Sequence, residues 1–180
     1  MATCSLFQTA IGTCGIAWDG ATIVATQLPE RTSMATATRL AARSGAREGT
    51  PDKSTAAAIA AIVALLNGDD VDLSPIPCDL SGIEPFAAQV YEIARGIPTG
   101  ETRTYGAIAA QLGGTDLSRK VGWTLGRNPL PIIVPCHRVI GANGRLTGFS
   151  AYGGLATKRR MLAIEQRRTN PQPGLFDEPT

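Results

Sequence analysis

Short apolar runs alternate with polar positions over residues 4–28 and reverse around Asp19-Gly20, where the glycine tolerates positive φ and favours a tight hairpin turn. This pattern predicts a small antiparallel sheet. Residues 29–52 are rich in Thr, Ser, Ala and Arg without clear periodicity, and read as a loop with some helix. The period changes over 53–66, where Ile59, Ile62, Val63 and Leu66 recur at helical spacing among alanines and Asn67-Gly68 supplies a C-terminal stop. Pro75, Pro77 and several acids make 67–83 an extended connector. It separates an N-terminal α/β domain, 1–80, from a second domain, 81–168, with a tail at 169–180.

From Pro85 onward the pattern is helical. Phe86, Val90 and Ile93 share one face, Pro85 suits the first turn, and Pro98-Thr99-Gly100 ends the element. A second helix over 104–112 stops at Gly113-Gly114, and a third over about 117–126 has Asp116 or Ser118 available to cap it. Helix, short turn, helix is the layout of a helix-turn-helix reader, and its second helix carries Arg119, Lys120, Trp123 and Arg127. Many small helical domains contain such a pair. Apolar Ile132, Ile133 and Val134 then imply a buried strand, and a basic helical segment over 153–164 ends at Glu165.

Charge sharpens this division. The net charge of +2 conceals 6 basic and 10 acidic residues in 1–100, 11 basic and 3 acidic in 101–168, and two acids in the tail. A local excess of cations suits a phosphate-contacting surface, since cationic side chains that displace counterions supply most nonspecific nucleic-acid affinity; a merely solvated basic face has the same composition. No stretch approaches the ~20 consecutive apolar residues of a membrane-spanning helix, and no basic region with an apolar run opens the chain. A cytoplasmic protein without membrane contact is the expectation. Cys4, Cys14, Cys78 and Cys136 match no small secreted disulfide framework and read as reduced thiols, and without close Cys or His pairs a metal site is not expected.

The chemistry gathers at Pro135-Cys136-His137-Arg138-Val139, preceded by Asn128-Pro129. A thiolate is a nucleophile and a nearby base generates it, so a cysteine beside the sole histidine is a candidate catalytic pair. A lone buried cysteine is more often packing, and neighbours on an extended strand point to opposite faces. Cooperation between Cys136 and His137 therefore requires a backbone turn or a bridging water, with a carboxylate behind the imidazole. Glu165 is the candidate carboxylate, or else a solvated residue at a helix end.

Over residues 84–166 the chain resembles the O6-alkylguanine-DNA alkyltransferases, also called methylated-DNA-protein-cysteine methyltransferases. The resemblance rests on PCHRVIG at 135–141, the RNPLPIIVPCHR that leads into it, the tyrosine of TRTYGAIAAQL, and GGLATKRRMLAIE at 153–165. Residues 5–30 also look like the N-terminal sheet of bacterial members. The resemblance implies an α+β fold, a small N-terminal antiparallel sheet with helix (RNase H-like) followed by a mainly helical, winged-helix-like DNA-binding domain. It implies repair of O6-alkylguanine, and of O4-alkylthymine as a further substrate, in double-stranded DNA by single, irreversible transfer of the alkyl group to Cys136. No cofactor is implied. His137 is then a water-mediated base oriented by Glu165, and Asn128 ties the recognition helix to the active-site segment. Tyr105 matches the residue that binds guanine N3 and crowds the phosphate of a flipped nucleotide, and Arg119 the finger that fills the gap. The carbonyls of Cys136 and Val139 match acceptors for the guanine amino group, the Ser150 N–H a donor to O6, and Lys158 a lysine with an electrostatic role near the pocket.

The sequence departs from the family pattern in three places. Lys120, Trp123 and Thr124 stand where small residues are usual, so Trp123 either folds back onto the domain or wedges against the duplex. Phe149 replaces a common tyrosine, and Ala151-Tyr152 resembles a two-residue insertion in the pocket loop. The N-terminal half lacks the residues of the zinc site found in some members. The tail, with three prolines, reads as disordered; its Gln172-Pro173-Gly174-Leu175-Phe176 resembles a peptide that docks on the replication sliding clamp, or is an incidental Leu-Phe. The expected state is a monomer. The competing functions are a non-catalytic alkylated-DNA lesion-binding protein and a cysteine hydrolase unrelated to DNA.

Overall fold

The computed structural model describes residues 1–169, in two compact units. One comprises Met1–Ser81 and Pro129–Ile133, the other Gly82–Asn128 and the chain from Val134 onward. The tail with its clamp-like peptide at 172–176 lies outside the described residues, and Thr169, assigned by sequence to that tail, ends the last helix.

In the first unit, β1 (Thr3–Thr9), β2 (Gly12–Asp19) and β3 (Thr22–Gln27) form an antiparallel meander. The expected turn at Asp19-Gly20 is present, with Gly20 at φ 57°. The two-residue β4 (Arg47–Glu48) adds to β1 in parallel, so the sheet is mixed rather than purely antiparallel, in the order β3-β2-β1-β4. Residues 29–52 hold more helix than their pattern suggested. Helix α1 (Ser33–Ser44) starts at Thr32, whose side chain accepts from the Ala35 N–H, and stops at Gly45 in the left-handed conformation. Its buried positions are Thr36 and Leu40, and one large apolar residue is too little for a hydrophobic period to be seen. Leu40 packs with Cys4, Ala17, Ala25 and Ala46 in the core over the sheet.

Helix α2 (Lys53–Leu66) has the bounds its periodicity predicted, with Asp52 accepting from the Thr55 N–H at 2.7 Å. Its buried face is Thr55, Ala58, Ile62, Leu65 and Leu66, while Ile59 and Val63 are half-buried. The connector after it is extended and runs along β3: the Ile23 N–H donates to the Pro77 carbonyl and the Asp79 N–H to the Ile23 carbonyl, both at 2.9 Å. This covers part of an otherwise open sheet edge.

The apolar run after Asn128 is not a strand. Pro129–Ile133 is a bent segment returned to the first unit, where Thr26 donates through its N–H to the Pro129 carbonyl (3.1 Å) and through its hydroxyl to the Pro131 carbonyl (2.6 Å). Buried Ile132 sits at φ 79°, a conformation β-branched residues seldom adopt. The hydrophobicity reports burial, and the bend that breaks the strand has no signature in residue type.

The second unit is mainly helical: α3 (Pro85–Arg95), α4 (Tyr105–Gln111), α5 (Ser118–Leu125) and α6 (Leu155–Thr169). Pro85 occupies the first turn of α3 with Glu84 accepting from the Ala87 N–H, and Val90, Tyr91 and Ala94 form the buried face beside half-buried Phe86 and Ile93. The Tyr91 hydroxyl donates to the Thr124 carbonyl, tying α3 to α5. Thr104 caps α4. Neither Asp116 nor Ser118 caps α5: a 3-10 turn over Thr115–Leu117 runs directly into it, and the Ser118 hydroxyl bonds back to the Thr115 carbonyl. Two short strands, β5 (Arg103–Thr104) and β6 (Val139–Ile140), pair in parallel beside the helix pair. No described helix is long and apolar enough to cross a membrane.

Candidate active site

Cys136, His137 and Arg138 form one 3-10 turn immediately before β6, with the Arg138 N–H bonded to the Pro135 carbonyl at 2.8 Å. This corrects the expectation of a strand and removes its difficulty, because on a turn adjacent side chains need not point to opposite faces. The Cys136 N–H donates to the Val134 carbonyl at 2.8 Å, and the same carbonyl accepts from the Asn128 side-chain amide at 2.8 Å. Asn128 thereby links the end of α5 to the segment that carries the cysteine.

The imidazole of His137 is 1% exposed, and its Nε2 lies 2.8 Å from Glu165 Oε1. Glu165 is not a helix-end residue; α6 continues four residues beyond it and holds it in the interior. Burial pushes the Glu165 carboxyl up, but His137 and Arg138 more than offset this and hold it at about 2. An ionised carboxylate only accepts, so Nε2 carries the ring proton and Nδ1 is left with its lone pair. Nδ1 is buried and has no hydrogen-bond partner among the described residues. Burial also pushes the imidazole below its ordinary 6.5 against the opposing pull of Glu165, so the ring is neutral at pH 7.

Arg138, which the sequence motif contains but to which it gives no role, is the carboxylate's other partner. Its guanidinium takes both Glu165 oxygens, Nε to Oε2 and Nη2 to Oε1, each at 2.9 Å, and Nη1 donates to the Ile97 carbonyl at 2.7 Å. The Gly100 N–H completes the carboxylate's shell at 3.1 Å. The only signal for this in sequence was an arginine next to the histidine, and nothing in the pattern set it facing Glu165.

Cys136 lines a cavity of about 680 Å³ with Tyr105, Arg119, Gly122, Phe149 and Ser150 among its walls. Burial raises its thiol above the ordinary 9.0, and the Asn128 side chain, the Lys158 charge and two backbone amides act in the opposite direction. Lys158, from α6, is fully buried and has more than a general electrostatic position. Its ammonium donates to the Val139 carbonyl at 2.6 Å, the Thr147 carbonyl at 3.3 Å and the Tyr105 hydroxyl at 3.4 Å. Burial lowers it to about 8, with Cys136 pulling the other way. Burial likewise raises the Tyr105 phenol, which is bonded to Thr147, another residue the sequence did not single out.

The four proposed DNA-contacting residues separate. Arg119 borders the cavity that contains Cys136 and also a second, open depression lined by Asp116, Ser118, Lys120 and Trp123. The Lys120 ammonium lies 3.9 Å from the centre of the Phe86 ring, while the Arg127 guanidinium lies 4.2 Å from that of Trp123, which is 63% exposed. Trp123 does not fold back onto the domain.

The model of the 6-O-methylguanine DNA methyltransferase DNA-binding domain matches residues 85–167. The methylated-DNA--protein-cysteine methyltransferase of Mycolicibacterium paratuberculosis is 49% identical over 102 residues, 57% of this chain and 60% of that protein, so the alignment leaves two fifths of the relative uncovered. A crystal structure of Mycobacterium tuberculosis O6-methylguanine methyltransferase aligns over 98% of this chain and 100% of that one, with a TM-score of 0.75 at 34% identity. This chain belongs to the O6-methylguanine DNA methyltransferase family. The Mycobacterium tuberculosis OGT crystallised in complex with DNA aligns equally well, covering 92% of this chain and 94% of that one at a TM-score of 0.75 and 34% identity. The family likeness thus extends through the N-terminal sheet, and the α+β class expected from sequence is the one observed.

Proposed function

We propose that the chain repairs O6-alkylguanine in double-stranded DNA by moving the alkyl group once, irreversibly, onto Cys136. The observation that carries this reading is a cysteine on the wall of a cavity, followed in the same 3-10 turn by a buried histidine whose Nε2 is fixed by ionised Glu165 and whose Nδ1 has no partner among the described residues. The names of the curated relatives and the DNA-bound mycobacterial structure support the same chemistry and the same partner.

His137 Nδ1 takes the Cys136 thiol proton through a water, and Glu165 stabilises the imidazolium that forms. The thiolate attacks the alkyl carbon in line; the S–C bond forms, the C–O6 bond breaks, and its electron pair stays on the purine, which takes up a proton and remains in the strand as guanine. Asn128 and Lys158 favour the thiolate against the burial that opposes it. Tyr105 binds guanine N3 and Ser150 donates its N–H to O6. The guanine amino group is held by the carbonyls of Cys136 and Val139, the second of which also accepts from the Lys158 ammonium. Arg119 fills the space the flipped nucleotide vacates, and Lys120 and Arg127 extend the contact along the duplex phosphates. The protein works where the DNA is, in the cytoplasm. A thioether does not hydrolyse, so one molecule repairs one base. Nucleoside analysis of a duplex bearing one O6-methylguanine tests this. O6-methyldeoxyguanosine should disappear in a one-to-one ratio with protein and then persist, whereas continued turnover, or no loss of it, would overturn the reading.

A further inference from the structure

We infer that Trp123 is a strand-contacting residue, an apolar step on α5 that packs against the sugar and base edges of the duplex next to the flipped nucleotide. The inference rests on the proposed repair of duplex DNA and names one further point of contact for that substrate. Arg119, Trp123 and Arg127 are spaced four residues apart, so within α5 the arginine and the indole share a stripe, and Arg127 follows just past the helix end at Leu125. One face of the indole is covered by the Arg127 guanidinium at 4.2 Å, yet the ring is 63% exposed, so an open apolar face remains between two cations. An exposed indole flanked by arginines is poorly matched to an apolar partner and well matched to a nucleotide strand, whose phosphates pair with the cations while its sugars and bases meet the ring.

Position selects which part of the strand is met. The depression beside Trp123 shares Ser118 and Arg119 with the cavity that holds Cys136. A strand whose nucleotide enters that cavity on the side of Ser118 and Arg119 therefore lies next to the depression that Trp123 lines. Asp116 is the single acid among the residues that line this depression, against Arg119 and Lys120. The contact is apolar, so it adds affinity that salt does not screen, whereas Arg119, Lys120 and Arg127 supply the part that salt does.

The test is titration of the full chain with a short duplex carrying one central O6-methylguanine, at several salt concentrations. Parent, Trp123→Ala and Trp123→Phe are compared, with tryptophan emission and binding both recorded. Trp18 is buried and Trp123 is the other of the two tryptophans, so an emission change on binding that is missing in Trp123→Ala belongs to Trp123. The expected result is a loss of about tenfold in affinity for Trp123→Ala, the size of one base-aromatic contact, with an unchanged salt slope and recovery in Trp123→Phe. Equal or tighter binding by Trp123→Ala, silent parent emission, or a loss confined to low salt would overturn the inference. Intact mass read on the same samples keeps the two claims apart. A parent that binds with the emission change but gains no methyl group overturns the repair reading alone, and one that gains the methyl group while Trp123→Ala binds as tightly overturns this inference alone.

Discussion

Replacing Arg138 by methionine should destabilise the protein through Glu165. The carboxylate, 3% exposed, is held by four hydrogen bonds, one from His137, two from Arg138 and one from the Gly100 N–H. Its depression from the ordinary 4.5 to about 2 corresponds to about 3 kcal/mol of preference for the ionised form. Methionine keeps much of the side-chain volume but removes two charge-assisted bonds and leaves the Ile97 carbonyl without its 2.7 Å donor. Breaking one side of a buried pair costs about 3–5 kcal/mol. The sign with pH follows from linkage. In the parent the folded carboxyl titrates below the unfolded one, so its contribution is complete above about 4.5 and is lost as pH falls from there towards about 2. In Arg138→Met the carboxyl protonates higher, and the acid unfolding transition moves to higher pH. Urea unfolding at pH 7 and an acid titration followed by circular dichroism measure both quantities. A loss under about 1 kcal/mol at pH 7, with the acid transition in place, would show that Arg138 does not hold Glu165 as described.

Lys158 should also add stability as pH rises, but in an alkaline window. It loses its proton near 8 when folded and near 10.5 when unfolded, so stability should rise by up to about 3 kcal/mol as pH increases through that window, and Lys158→Met should flatten the rise in urea titrations across it. Asn128→Ala should cost about 1–3 kcal/mol by orphaning one bond to the buried Val134 carbonyl, and should raise the Cys136 thiol further, measurable as slower reaction with a thiol reagent at fixed pH. Thr26→Val keeps the shape of that side chain but removes the hydroxyl donor to the Pro131 carbonyl, and denaturation should show a loss of about 1–3 kcal/mol.

The elements legible in the sequence were those with a strong local signature. Helix α2 is legible because its apolar residues recur at helical spacing up to the Asn67-Gly68 stop, and α3 because Pro85 opens a clear periodic run. Helix α1 was not, since its buried face is a threonine and one leucine among polar and alanine positions. The run Ile132–Val134 misled because burial and strand look alike in a short apolar stretch, and the bend depends on bonds to Thr26, a hundred residues away in the chain. At the site, the pairing of His137 with Glu165 followed from the chemistry an imidazole base requires. The grip of Arg138 on that carboxylate, and the bonds of Lys158 to the Val139 and Thr147 carbonyls, depend on tertiary geometry that no spacing encodes.

The central claim is that Cys136 is the alkyl acceptor. Intact-mass spectrometry of the protein after incubation with excess duplex carrying one O6-methylguanine tests it directly, with Cys136→Ala beside it. The account predicts a single methyl-sized gain on every active molecule, mapped by peptide digestion to Cys136 and missing in Cys136→Ala. A gain on another residue, or an unmodified protein tightly bound to the lesion, would contradict it.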